Sequence, residues 1–302
     1  MSRSKEGFLW TPTQSIKGLP TDAVERSSSA VQEEYDVIVI GAGFAGLIVA
    51  RDLSLMYQLN VLLLEARDRI GGRTWTATVL GEDVEMGGTW VHWDQPHVYS
   101  QLQRYGLHRN LKPSAGMLAP KKQFFKYASH PIEEVSIQDA ATMLERVAKR
   151  FFAIDGLDSR LLMPYPHDPL REPAPWRQYD NLSVKDRLDQ LSDIPDRERA
   201  LFGSNISTFG SAPGKDMGFV DALRWYVLGG HSMAGVFEKA GFYKLGNGGM
   251  TAFARAILND YRGDILFNSP VAGIAQVEEV VTINTLQGRT LRAKAAISTI
   301  PL

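Results

Sequence analysis

The sequence predicts an α/β protein: a parallel sheet, a closing β-meander and a largely helical stretch between them. Three observations carry that expectation. The stretch VIVIGAGFAGLIVARDL, Val37 to Leu53, passes from a short β-branched run through three glycines into an apolar-faced helix. A second apolar run, Asn60 to Leu64, follows and ends on Glu65. Near the other end, Asp264–Phe267, Val271–Gln276, Val280–Thr285 and Thr290–Leu291 alternate with turn residues such as Gln287-Gly288, as a meander does.

Taken in order, residues 1–33 are polar and weakly patterned, with Ser27-Ser28-Ser29 near their end, and read as a flexible arm. Phe8, Leu9 and Trp10 are its apolar exception. Val37 to Ile40 suits a central strand buried on both faces. With the helix from Ala45 and the run at Asn60–Leu64 it makes a βαβ unit, which crosses over right-handed. TWTATVLGEDVEMGG reads as two strand pieces joined by Gly81-Glu82-Asp83, and His97 to Gly106 as a short helix. Helical periodicity runs from Val135 to Phe152. The proline-rich MPYPHDPLREPAPW is too aromatic for a flexible linker. Further helices fill 183–260, interrupted by Gly246, Gly248 and Gly249, and Ala295 to Ile300 is a last apolar strand. The expected domains are 34–110 with 245–302, discontinuous, and 111–244, mostly helical.

At 302 residues the chain is comfortable for two domains. Lys+Arg number 33 and Asp+Glu 34, so no strong field draws nucleic acid or an anionic membrane. No run of about 18 apolar residues suggests a membrane span. The N-terminus MSRSKEGFLW lacks the apolar core of a secretory signal, which points to a cytoplasmic or peroxisomal, intracellular setting. The absence of cysteine excludes disulfides, Cys-ligated metal sites, a thiolate nucleophile and a thioether bond from this chain to a cofactor.

Gly41, Gly43 and Gly46 form G-x-G-x-x-G, placed after a strand and before a helix. The first glycine permits the tight turn, the second lets main chain approach a pyrophosphate, and the third lets helix and strand pack closely. The helix start then offers free N–H groups to the phosphates. Glu65 lies 19 residues beyond Gly46, where a carboxylate accepts hydrogen bonds from a ribose diol and repels a 2′-phosphate. EARDRIGGRTWT then sets Arg67, Arg69 and Arg73 around Gly71-Gly72, a second close-approach loop with guanidiniums to counter pyrophosphate charge. EMGGTWVHW supplies a third at Gly87-Gly88. Three such loops suit an enclosed FAD better than an exchangeable nicotinamide; ordinary turns at 71–72 and 87–88 are the alternative.

With these motifs the chain resembles the flavin-dependent amine oxidases, and among them the fungal monoamine oxidases. GAGFAG, LLLEARDRIGGR and EMGGTWVHW carry the likeness, supported by WTP, PYPHD, GNGGMTAFARAI and ISTIPL. The resemblance implies a glutathione-reductase-type FAD-binding domain with a partial α+β substrate domain. It implies that Gly41, Gly43, Phe44, Ala45 and Gly46 line the pyrophosphate turn and that Glu65 holds the ribose, with Ala66 and Arg67 adjacent. Gly72 and Arg73 would sit near the phosphates, and Gly87, Gly88, Thr89 and Trp90 beside the flavin. Val271 would contact the adenine. The implied reaction takes a hydride equivalent from the carbon of a small-molecule amine, with oxygen reduced to hydrogen peroxide.

Family members continue for roughly another half-chain beyond the strand matching Ala295–Ile300. By resemblance that part holds the lysine near the flavin, most of the aromatic cage and a final glycine-rich segment. The chain is therefore expected to be truncated, and no catalytic residue is named. Trp225 and Tyr226 are candidates for a substrate-pocket wall, with a buried core pair as the alternative. His92 and His97 around Asp94 do not complete a metal site, so none is expected. His231 reads as a loop residue, Lys244 and Lys294 as surface or strand-edge lysines. Two function classes stand: an FAD-dependent amine oxidase, or a non-catalytic flavin-binding fragment. An amino-acid oxidase or desaturase shares the N-terminal motifs.

Overall fold

The structure, a computed structural model, describes residues 2–114 and 122–301. The parts of the expected domains at 115–121 and the chain ends Met1 and Leu302 lie outside the described residues. The chain divides into two compact units: Met1–Thr89, Gln95–Lys112 and Lys244–Leu302 form the first, Trp90–Asp94 and Pro113–Tyr243 the second.

The first unit is organised by a six-stranded sheet. Its elements are β1 (Glu34–Ile40), α1 (Phe44–Met56), β2 (Val61–Leu64), the hairpin β3 (Thr76–Val79) and β4 (Glu82–Glu85), α2 (Gly249–Asp260), β5 (Asp264–Leu266), β6 (Val271–Val277), β7 (Val280–Thr285) and β8 (Thr290–Ser298). The sheet order is β5-β2-β1-β8-β7-β6. β5, β2, β1 and β8 run parallel, while β8, β7 and β6 are antiparallel. β2 is buried throughout, as is β1 from Val37 to Ile40, which explains their unbroken apolar character.

Register decides what this sheet can do. Ile40 pairs with Leu64 on one side and Ser298 on the other, and Leu64 pairs with Leu266. Gly41, Glu65, Phe267 and Thr299 therefore leave the sheet side by side at the carboxyl ends of parallel strands, where open α/β sheets place their ligands.

Three expectations are corrected. Asp264–Leu266 does not join the meander; it pairs parallel with β2 at the opposite edge. The two apolar pieces expected after Thr290 are one strand, antiparallel to β7 over its first half and parallel to β1 over its second. The β3–β4 turn is Leu80-Gly81, both at positive φ (54° and 82°), the two-residue hairpin geometry, so Glu82 and Asp83 belong to the strand.

The N-terminal residues also differ from a flexible arm. Phe8–Trp10 and Ser15–Lys17 pair as a short hairpin, and Leu19, Thr21 and Ala23 are buried. The physical reason is hydrogen bonding, not apolar pattern. Ser4 Oγ donates to Asp68, Ile70 N to Ala23 O, Thr21 Oγ1 to Thr76 O, and Phe267 N to Ser27 Oγ.

The second unit is helical. Its longest helices are Ile137–Phe151, capped by Ser136, and Asp196–Gly210. Val184–Asp189 starts with a capping box between Ser183 and Asp186. Phe151, Phe152, Phe202, Phe219 and Tyr226 form the centre of its core. No helix among the described residues is long and apolar enough to cross a membrane.

Candidate functional site

The site grows from the end of β1. Gly41 has φ +105°, a conformation side chains rarely adopt, and turns the chain out of the sheet. A Cβ at Gly46 would lie 1.8 Å from the Gly41 carbonyl oxygen, so helix and turn are in contact there. α1 begins at Gly43 with no side-chain cap and no acidic residue in its first turn. Its first N–H groups and their partial positive charge are left open.

The second glycine loop packs directly on the first. Gly71 N donates to Ala42 O (2.9 Å), and a Cβ at Gly72 would stand 3.2 Å from Gly43 Cα. The third packs on the second: Gly88 N donates to Arg73 O (3.1 Å), and a Cβ at Gly87 would meet that oxygen at 1.9 Å. The three glycine loops of the sequence are thus stacked main chain against main chain.

Glu65 is 5% exposed and turned towards the first turn. Its Oε2 accepts from Ala42 N (2.7 Å) and its Oε1 from Arg67 N (2.8 Å). Each carboxylate oxygen retains a further lone pair for a hydroxyl donor. A cavity of about 640 Å3 opens over these groups. Gly41, Gly43, Phe44 and Ala45 line it from the first turn, Glu65, Ala66 and Arg67 from the end of β2, and Gly71 to Thr74 from the second loop. Ser269 to Val271, Ile274 and Ser298 to Pro301 complete it.

The arginines separate into different roles. Arg67 Nε and Arg69 Nε each donate to one oxygen of Glu6, both at 2.7 Å. Burial would raise the Glu6 carboxyl, but the two guanidiniums overcome it and hold the group below its ordinary value. Arg69 is buried and donates to Gly72 O (2.7 Å), bracing the second loop from behind. Arg73 is exposed and has no side-chain partner among the described residues, which leaves its guanidinium available to an anion.

Other sequence candidates fall elsewhere. Gly46, Gly87, Gly88 and Thr89 support the turns and do not line the cavity; Thr89 Oγ1 donates to Gly87 O. Trp90 belongs to the second unit, where its indole N–H donates to Ser114 Oγ (3.0 Å). Tyr226 is in that unit's core, stacked on Phe152 at 4.2 Å with its hydroxyl on Glu145, while Trp225 is half-buried beside it. Tyr226 is thus a core aromatic, as its spacing on an amphipathic helix allows. His231 takes a positive φ in its loop, and its Nδ1 is 2.9 Å from Ser159 Oγ. Lys294 pairs on the surface with Asp36.

Sequence reading missed Thr299, whose hydroxyl donates to Ile40 O (2.8 Å), and the Ser269-Pro270 wall. The available signal was the polar Ser298-Thr299 at the end of the last apolar run, once that run is set beside β1.

Fold and cavity define a protein of the dinucleotide-binding α/β class. A family model described as flavin containing amine oxidoreductase matches residues 44–302, and the chain belongs to that family. A nicotine dehydrogenase of Pseudomonas putida is 32% identical over 270 residues, 89% of this chain and 54% of that protein. A pseudooxynicotine dehydrogenase of a Pseudomonas species is 29% identical over 269 residues, 89% of this chain and 52% of that protein. The chain spans about half the length of the curated relatives it matches. A solved wild-type putrescine oxidase bound to putrescine has a TM-score of 0.64 at 23% identity, over 89% of this chain and 58% of that one, a likeness of fold.

Proposed function

We propose that the chain binds FAD in the cavity at the carboxyl ends of β1, β2 and β8, and serves the oxidation of a small amine. The observation that carries this reading is the uncapped start of α1 facing that cavity, with Gly72 pressed against Gly43 and Glu65 beside them. The residues present fit the group. Main-chain N–H groups at Gly43, Phe44 and Ala45 suit a pyrophosphate, Glu65 suits a sugar diol, and Arg73, without a side-chain partner among the described residues, suits the role of counter-cation. Val271, on the cavity wall near Ser269, suits the adenine end, with Ala66 and Arg67 flanking the sugar. The volume lies within the ~300–1,000 Å3 usual for small-molecule sites. Gly87, Gly88 and Thr89 are assigned to the flavin end by the family pattern.

Bound FAD would supply the two-electron acceptor for converting R–CH2–NH2 to an imine, which water hydrolyses to aldehyde and ammonia. With oxygen as the final acceptor, the sum is amine, O2 and water giving aldehyde, ammonia and H2O2. The chain's own residues hold the dinucleotide: the helix start neutralises its phosphates, and the glycine turns admit its backbone closely. No residue is assigned to the chemical step, and the linkage is non-covalent as far as cysteine is concerned.

The test is reconstitution. Added FAD should give a yellow protein absorbing near 450 nm, and amines should bleach it without air. Oxygen uptake against reduction of an artificial dye then separates an oxidase from a dehydrogenase. A colourless protein after reconstitution removes the reading. FAD binding without bleaching by any of a panel of primary, secondary and diamine substrates leaves the cofactor and removes the amine.

A further inference from the structure

We propose that Glu6 is a positioning residue for the cofactor: by bridging Arg67 and Arg69 it holds the second glycine turn against Gly43. This rests on the reading of the cavity as an FAD site. Glu6 gives one carboxylate oxygen to each guanidinium. Arg69, 4% exposed, reaches past it to donate to Gly72 O at 2.7 Å and Ile70 O at 3.3 Å, and covers the Trp75 ring at 4.4 Å. Contact therefore runs from Glu6 through Arg69 to the Gly72 carbonyl, and from Gly72 to Gly43. Gly72 has φ +61° and sits too close to Gly43 to admit even a methyl group comfortably, so there is little slack in that line.

The segment carrying Glu6 is itself fixed. Ser4 Oγ and Lys5 N donate to the two oxygens of Asp68, at 2.9 and 2.8 Å. Further along, Thr21 is fully buried and donates to Thr76 O at 2.6 Å. Without Glu6, the buried Arg69 loses its ion pair and keeps only the weaker attraction of Glu65, and such a group relaxes towards water. The loop it braces moves with it.

The proposal has a sign that simple charge does not share. Glu6 is a negative group near an anion seat, so Coulomb attraction alone predicts tighter dinucleotide binding when it is removed. Loss of positioning predicts weaker binding.

The experiment titrates ADP and FAD calorimetrically into the full chain and three variants. ADP reads only the half of the cavity that Arg69 braces. Glu6→Ala should raise the dissociation constants of both about tenfold, with Glu6→Gln, which keeps one acceptor oxygen, in between. Thr21→Ala loosens the same segment elsewhere; it should lower the melting temperature yet leave ADP affinity within about twofold of wild type. Unchanged or tighter binding by Glu6→Ala overturns the proposal, as does equal weakening by Thr21→Ala. Wild type binding neither ligand overturns the cavity reading as well, so the two failures are distinct.

Discussion

Two helices of the first unit start from glycine-rich turns, and only one leaves its start open. At α1, nothing caps Gly43, and a Cβ there would meet only Gly72 Cα at an ordinary 3.9 Å. At α2, GNGGM looks equally permissive, yet the start is plugged. Gly248 N donates to Asp83 Oδ2 and Met250 N to Glu85 Oε1, both at 3.0 Å. A Cβ at Gly249 would fall 2.0 Å from that Glu85 oxygen. A helix start is an anion seat only if carboxylates leave the N–H groups of its first turn unbonded; at α1 the nearby Glu65 takes Ala42 N, ahead of the N-cap, and not those groups. Here the β3–β4 hairpin satisfies one start with its own acids and leaves the other for a ligand.

The comparison breaks first at Gly46. Gly46→Ala puts a methyl into the Gly41 carbonyl, a main-chain atom that cannot step aside. The variant should lose FAD binding and about 3 kcal/mol or more of stability, read by thermal melting and flavin titration. At α2, Gly249→Ala meets side-chain atoms and no main chain, Glu85 Oε1 and Thr76 Oγ1, though at φ +55°. It should cost about 1–3 kcal/mol and leave FAD affinity unchanged.

Gly43→Ala sharpens the contrast. The backbone there is extended (φ −74°) and the space admits a methyl, so the fold should stay intact. The methyl takes room from the phosphates, and FAD affinity should fall about tenfold with little change in melting temperature. Equal affinity would mean that phosphates do not approach this turn.

A smaller effect is expected from pH. Burial holds the Glu85 carboxyl above its ordinary 4.5 despite the Met250 and Thr76 donors. A raised carboxyl favours the folded state while protonated, and that contribution disappears as pH rises from 4.5 through the elevated value. Melting curves across that window should fall more steeply for wild type than for Glu85→Gln. The smallest effect is at the surface: Lys294→Ala removes an exposed partner of Asp36 and should leave the melting temperature where it was.

The βαβ unit, the three glycine loops and Glu65 were legible because each is set by local pattern: a strand, a turn, a helix start. What escaped depends on distant pairing. Thr299 reaches the site because β8 lies beside β1, though Thr299 and Ile40 are 259 positions apart in the sequence. The N-terminal segment is tied down by serine, threonine and glutamate hydrogen bonds, which leave no hydrophobic periodicity to read. Arg67 and Arg69 looked like phosphate ligands until Glu6, some 60 residues earlier, took both guanidiniums. Tyr226 could not be assigned to core or pocket from spacing alone, since both uses put an aromatic on a helix's apolar face.

The most direct test of the open helix start is a crystal structure of the chain with FAD added. The account predicts pyrophosphate oxygens within hydrogen-bond distance of the first N–H groups of α1, and a ribose hydroxyl on Glu65 with Arg73 turned towards the phosphates. Density for the dinucleotide at any other place, or a carboxylate or water network closing the Gly43 turn while FAD binds elsewhere, would contradict it.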